Sequence, residues 1–261
     1  RRGRPGRSLT VARLIFAANW KMHHGPAAAR ELVQAVLART TPRKERLLLF
    51  FPPAVSLTAV AETVRGRPDA AVGAQNIYWE PKGAFTGELS ASLAQDSGAL
   101  WTLVGHSERR HKFGETDDET GLKVRAALAA GLAPMLCVGE TLEQRNTGQK
   151  DAVVRRQLEA AVGGLEAASL SNVAIAYEPV WAIGTGVNAT PEDAAAMHRM
   201  IQEWLRSRLG AEAPNFVLYG GSVTPENAPL LLAQPEIGGV LVGGASLTAE
   251  SWVQVVESAS R

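Results

Sequence analysis

Three segments of this sequence carry side chains suited to moving protons, and each closes a short apolar run. In residues 176–186, AYEPVWAIGTG, a single carboxylate, Glu178, ends such a run and is followed at once by Pro179, an apolar stretch and two glycines. Abstraction of a carbon-bound proton needs parts in that order: a carboxylate on a rigid strand, a stiff hinge, a cover that excludes water, and backbone able to close over an anion. AANWK, ending at Lys21, and VGHSERR, residues 104–110, add an ammonium and an imidazole in equivalent places. Read as residues alone, these are the parts of an acid–base isomerase or of an aldolase.

Each group also has a plainer reading. Asn19 and Lys21 flank Trp20, so alternation sends the amide and the ammonium to one side; a lone lysine is more often a solvated charge. His106 precedes Ser107-Glu108-Arg109-Arg110, which reads as the first turn of a helix, where backbone N–H groups favour a neutral, hydrogen-bond-donating ring; standing alone it would be a structural histidine. Glu178 could be a salt-bridge partner, but Val180, Trp181, Ala182 and Ile183 beside it can exclude water. His23, His24, His111 and His198 show no metal-ligand spacing, so no metal site is expected.

Residues 184–189, GTGVNA, fit a dinucleotide fingerprint, which should turn directly from strand to helix. Residues 179–183 intervene, so the expectation is a closing lid whose Gly184 N–H holds a ligand anion. Gly220-Gly221-Ser222 and Gly243-Gly244 end the last two apolar runs, and glycine there lets backbone N–H groups approach a phosphate.

The elements that must position these groups alternate along the chain. Strand-type runs fall at residues 14–18, 47–51, 70–74, 100–104, 133–138, 173–177, 215–219 and 239–242, each followed by a helix-suited stretch. Leu32, Val33, Val36 and Leu37 form one helical stripe, and Met197, Met200, Ile201, Trp204 and Leu205 another. Thr190-Pro191 and Thr224-Pro225 mark helix starts, while Thr116 with Glu119 and Thr141 with Gln144 spell capping boxes. Eight such units in α/β order, with strands apolar on both faces, favour one closed (β/α)8 barrel over an open sheet. In that fold chemistry sits on the loops after the strands, where every motif above falls. Residues 11–261 are expected to form the barrel and residues 1–10 a basic tail. The loop at residues 76–88 is long for a connection, and its Ile77, Tyr78, Trp79 and Phe85 are of exposed apolar type, which points to a subunit contact.

Composition bounds the alternatives. Hydrophobic residues make up 46% and charged residues 20% of the 261, as in ordinary globular enzymes. No apolar run approaches the roughly 20 residues that span a bilayer, and no secretory leader is recognisable. The single cysteine, Cys137, rules out an internal disulfide and fits a reducing compartment. Five arginines lie in the first thirteen positions, and setting them aside leaves 22 basic residues against 26 acidic ones. A nucleic-acid-binding face on the folded body is therefore not expected.

NWKM, GHSERR, CVGE, YEPVWAIGTG, YGGS and LVGGASL, in this order, resemble the triosephosphate isomerase family over residues 14–256. The resemblance implies that Glu178 shuttles a proton between C1 and C2 of a triose phosphate and that His106 polarises the carbonyl. It further implies that Lys21 and Asn19 stabilise the developing oxyanion, that Glu108 organises the site floor, and that Gly184, Ser222, Gly243 and Gly244 hold the phosphate. It implies a cytoplasmic homodimer, with Thr86 of the long loop reaching the partner near Asn19 and Lys21, and no metal or organic cofactor. Departures from the family pattern are Ala18, His23-His24 and the second hinge Val187-Asn188-Ala189. The competing readings are a Schiff-base aldolase acting through Lys21 and a non-catalytic barrel scaffold.

Overall fold

The computed structural model describes residues 14–183, 189–210 and 216–259. The expected tail at residues 1–10, and Gly184 with the glycine end of the expected lid, lie outside the described residues.

Eight strands form the sheet: β1 Leu14–Asn19, β2 Arg46–Phe51, β3 Ala70–Ala74, β4 Trp101–Val104, β5 Ala133–Val138, β6 Ala174–Tyr177, β7 Val217–Tyr219 and β8 Gly239–Val242. Neighbours pair in chain order, all parallel, and β8 returns to β1 to close the barrel. The sheet has no open edge, so the choice left by the sequence falls to the closed form. Helices lie between successive strands, as parallel crossovers require.

The strands are apolar on both faces because both are covered. Ile15, Ala17, Phe51, Trp101, Met135 and Leu241 fill the barrel interior, while Phe16, Ala18, Phe50, Val104 and Val242 pack beneath the helices. Large interior side chains need small neighbours. A Cβ on Gly73 would lie 2.3 Å from the Phe51 ring, so glycine in β3 is what lets Phe51 turn inward.

Helix Pro26–Arg39 buries Leu32, Val33 and Val36, and helix Pro191–Leu209 buries all five residues of its expected stripe. Thr190 caps the latter, and both capping boxes close, at Thr116 and at Thr141. The Thr224-Pro225 start is different: the helix there begins only at Ala228. Thr224 and Asn227 bond reciprocally into a turn at 2.8 and 3.4 Å, and Pro229 has no N–H to carry that turn on as an α-helix.

The long loop after β3 folds back on itself, with the Tyr78 N–H donating to Leu89 O at 2.8 Å. Ile77 departs from expectation. It is fully buried and packs into the core, because it lies within one turn of the strand end. Tyr78, Trp79 and Phe85 cluster with ring centres 4.1 and 4.8 Å apart, and Thr86 is exposed. At the end of the barrel where strands begin, Asp69 accepts from Arg46 Nε at 3.2 Å and from Arg67 Nε at 2.7 Å. Among the described residues, no helix is long and apolar enough to cross a membrane.

Candidate active site

Glu178 leaves β6 with its N–H bonded to Val138 O at 2.7 Å, which extends the sheet by one residue and turns the side chain inward. That close approach requires glycine on the neighbouring chain, since a Cβ on Gly139 would fall 1.7 Å from Glu178 O. The carboxylate is buried, 2% exposed. Its Oε2 accepts from the Ser107 N–H at 2.8 Å, and its Oε1 lies 3.1 Å from His106 Nε2.

His106 caps helix Ser107–Phe113, as its sequence context predicts. Its Nδ1 accepts from the Glu108 N–H at 3.2 Å, so the ring proton resides on Nε2 and points at Glu178. From the other side Lys21 approaches: Nζ lies 3.1 Å from Glu108 Oε1. Burial alone would raise the Glu108 carboxyl, but the Lys21 ammonium outweighs it and holds the group below the ordinary glutamate range. Asn19 is buried, and its Oδ1 accepts from the Lys21 N–H at 3.1 Å. Lys21, Glu108, His106 and Glu178 thus form one continuous chain of contacts from β1 across β4 to β6.

The glycine-rich strand ends border the same space. A Cβ on Gly243 would sit 3.3 Å from Lys21 Cε, and one on Gly220 would sit 2.9 Å from Glu178 Cγ. Gly244 is exposed and opens a 3-10 turn, Gly244–Ser246. Ser222 is half-buried, with its carbonyl accepting from Asn227 Nδ2 at 3.0 Å. Cys137 is fully buried; burial, and then the nearby Glu178 carboxylate, hold its thiol protonated. Among the described residues, no group of three or more His, Cys, Asp or Glu side chains could hold a metal ion.

Several supporting groups have roles that the sequence alone does not assign, Glu140 of the CVGE motif among them. Glu140, fully buried, accepts from the Tyr177 hydroxyl at 3.1 Å and from Trp181 Nε1 at 2.9 Å, which anchors the 3-10 segment Val180–Ala182 behind Glu178. Arg145 covers the Trp181 ring, 4.5 Å from its centre. Glu115 accepts from the Gly105 N–H at 2.9 Å and pairs with Lys123, fixing the backbone just before His106. Gln75 bonds to the backbone of Lys21. Only folding brings these residues to the site, and periodicity cannot reveal that.

A carboxylate, an imidazole N–H and an ammonium converging at the strand ends of a closed (β/α)8 barrel define an acid–base enzyme of the barrel class. The family model described as triosephosphate isomerase matches residues 14–259. A triosephosphate isomerase of Roseiflexus sp. strain RS-1 is 48% identical over 93% of this chain and 96% of its own. One of Herpetosiphon aurantiacus is 46% identical over 94% and 99%. The crystal structure of the Bartonella henselae triosephosphate isomerase superposes with a TM-score of 0.84 at 36% identity, covering 94% of this chain and 98% of that one. The chain belongs to the triosephosphate isomerase family.

Proposed function

We infer that the chain interconverts dihydroxyacetone phosphate and D-glyceraldehyde 3-phosphate, the isomerisation shared by glycolysis and gluconeogenesis. The observation that carries this reading is the direct contact between Glu178 Oε1 and His106 Nε2 at 3.1 Å inside a site bounded by Lys21 and two glycine-rich strand ends. The base and the hydrogen-bond donor contact each other, and Ser107 holds the second carboxylate oxygen. A triose phosphate entering between them must part that pair. The carboxylate then faces a carbon-bound proton while Nε2–H turns to the carbonyl oxygen, and each proton lost by carbon is returned to its neighbour through an enediolate.

Lys21 supplies the positive charge that stabilises the enediolate and attracts the phosphate, and Asn19 adds a donor at the same oxygen. Glu108 sets both neighbours at once, through the Lys21 ion pair and its own N–H to His106. Ser222, Gly243 and Gly244, with Gly184 from outside the described residues, are the proposed phosphate cradle. The steps are proton transfers alone, so the reading invokes neither metal nor organic cofactor.

A Schiff-base aldolase would need Lys21 free to attack a carbonyl. Its ion pair with Glu108 favours a fixed cation instead. We further propose a single barrel domain over residues 11–261, a cytoplasmic enzyme, and a homodimer formed through residues 76–88. In that dimer the exposed Thr86 meets the partner beside the exposed Met22 and the Lys21 turn. Feeding glyceraldehyde 3-phosphate to the purified protein in a coupled assay tests the activity: dihydroxyacetone phosphate must appear, and its absence sinks the reading. Sedimentation tests the assembly, which a fully active monomer would refute.

A further inference from the structure

Gln75, the first residue after β3, has no part in the chemistry above. Its side-chain Nε2 donates to two carbonyls at once, Lys21 O and Phe51 O, each at 2.8 Å. Both hydrogens of one amide are therefore committed to the chain ends of β1 and β2. Lys21 meanwhile has φ 52, and among the described residues only His24 shares a positive φ without being glycine. Left-handed backbone is unfavourable for a residue bearing a Cβ, and such a residue persists only where its surroundings over-determine it. Three contacts do so here: Asn19 Oδ1 takes the Lys21 N–H, Glu108 takes the ammonium, and Gln75 takes the carbonyl. The Glu108 contact grips a side chain one-third exposed, and Asn19 lies only two residues away on the same strand end. Among the described residues, Gln75 is the one whose hydrogen bond ties the Lys21 backbone to a different strand.

We propose that Gln75 is a positioning residue for Lys21: its two-pronged amide holds the lysine backbone in the left-handed turn that aims Nζ into the site. This rests on the reading of Lys21 as the site's cation. The carboxamide is demanded by the chemistry, since two carbonyl acceptors need two N–H donors from one compact group. An ionised glutamate offers none and would set negative oxygens against both carbonyl dipoles. Methionine fills a similar volume and offers none either.

The experiment compares the unmutated protein with Gln75→Met and Gln75→Glu. Both variants are expected to lose about 10- to 100-fold in kcat/KM, the scale of a group displaced by roughly 1 Å. KM and the inhibition constant for inorganic phosphate rise with it, because a displaced cation binds phosphate less well. In Gln75→Glu the deficit shrinks as pH falls, since a protonated carboxyl regains one donor, whereas Gln75→Met shows no recovery. Crystal structures of the variants should find Lys21 outside the positive-φ region. If the unmutated protein isomerises but Gln75→Met keeps kcat/KM and KM within about twofold, or keeps Lys21 left-handed, the positioning role is overturned while the isomerase reading stands. An inactive unmutated protein sinks the isomerase reading and leaves the Lys21 backbone in the variant crystals to decide on Gln75. Should neither variant fold, the side-chain amide protons of Gln75 in the unmutated protein decide: strong protection from solvent exchange is expected, and exchange at the rate of a free amide overturns the proposal.

Discussion

Where the strands begin, Arg46 and Asp69 pair at 3.2 Å with side chains 4% and 2% exposed; where they end, Lys21 and Glu108 pair at 3.1 Å with each 33% exposed. The lower network is closed upon itself. Arg46 also donates to Thr41 O and to Glu257, while Arg67 donates to Leu37 O, Thr40 O and Asp69, so each charge finds its partners inside the protein. The upper network is linear and reversible: Lys21 to Glu108, Glu108 to His106, His106 to Glu178, ending on a base that its own partners occupy. One end uses charge to lock the barrel, the other keeps charge ready for a ligand. What separates a structural ion pair from a functional one is therefore how completely its hydrogen-bonding capacity is used up within the fold.

The comparison breaks most visibly at Glu178. Glu178→Gln should lower kcat by about 10⁴-fold, the upper range for loss of a general base, with folding stability unchanged or raised. Glu178→Asp, which withdraws the carboxylate by roughly 1 Å, should cost about a hundredfold. Steady-state kinetics beside urea unfolding read both, and near-normal turnover in either variant removes Glu178 as the base. Asp69→Ala should behave in the opposite way, losing about 3–5 kcal/mol of stability because it strands buried guanidinium groups, while the folded fraction keeps its kcat/KM. A loss of turnover without a loss of stability would erase the distinction between the two ends.

A smaller effect sharpens it from behind the sheet. His198, fully buried near Tyr177 and Tyr219, is pushed down to about 4 from 6.5 by desolvation. A histidine lowered on folding is matched by the unfolded chain above pH 6.5. Below it, the unfolded chain takes up a proton that the fold refuses, so stability falls until the pH reaches about 4. That descent is worth roughly 3 kcal/mol. Denaturation midpoints across this window should fall more steeply for the parent than for His198→Asn, and parallel curves would refute it.

Much of this was legible in order along the chain. Strand runs matched to within a residue or two at their ends, because a parallel strand covered on both sides must be apolar throughout. Glu178, His106 and Lys21 stood out because each follows such a run directly. Helix starts are legible where a threonine faces its own third residue and the turn can continue, as at Thr116, and the reading fails at Thr224, where Pro229 decides five positions further on. Ile77 reads as a surface residue in the sequence, yet it is buried, because nothing local tells a strand end that dives into the core from one that leaves it. Glu115 and Gln75 give no signal, and Glu140 shows only as the end of the CVGE motif with no role attached, since their partners lie 10, 54 and 41 residues away in the bonds that matter.

By itself, then, the order of residues determined the alternation of strand and helix, the chemical types at each strand end and the family likeness, because these depend on neighbours within a few positions. Tertiary structure decided that the sheet closes, that the Glu178 carboxylate rests on His106 and Ser107, and that the Lys21 turn is held left-handed from another strand. Those facts depend on distances between strands that only barrel closure brings together, and a contact made across the rim has no counterpart in the spacing of the sequence.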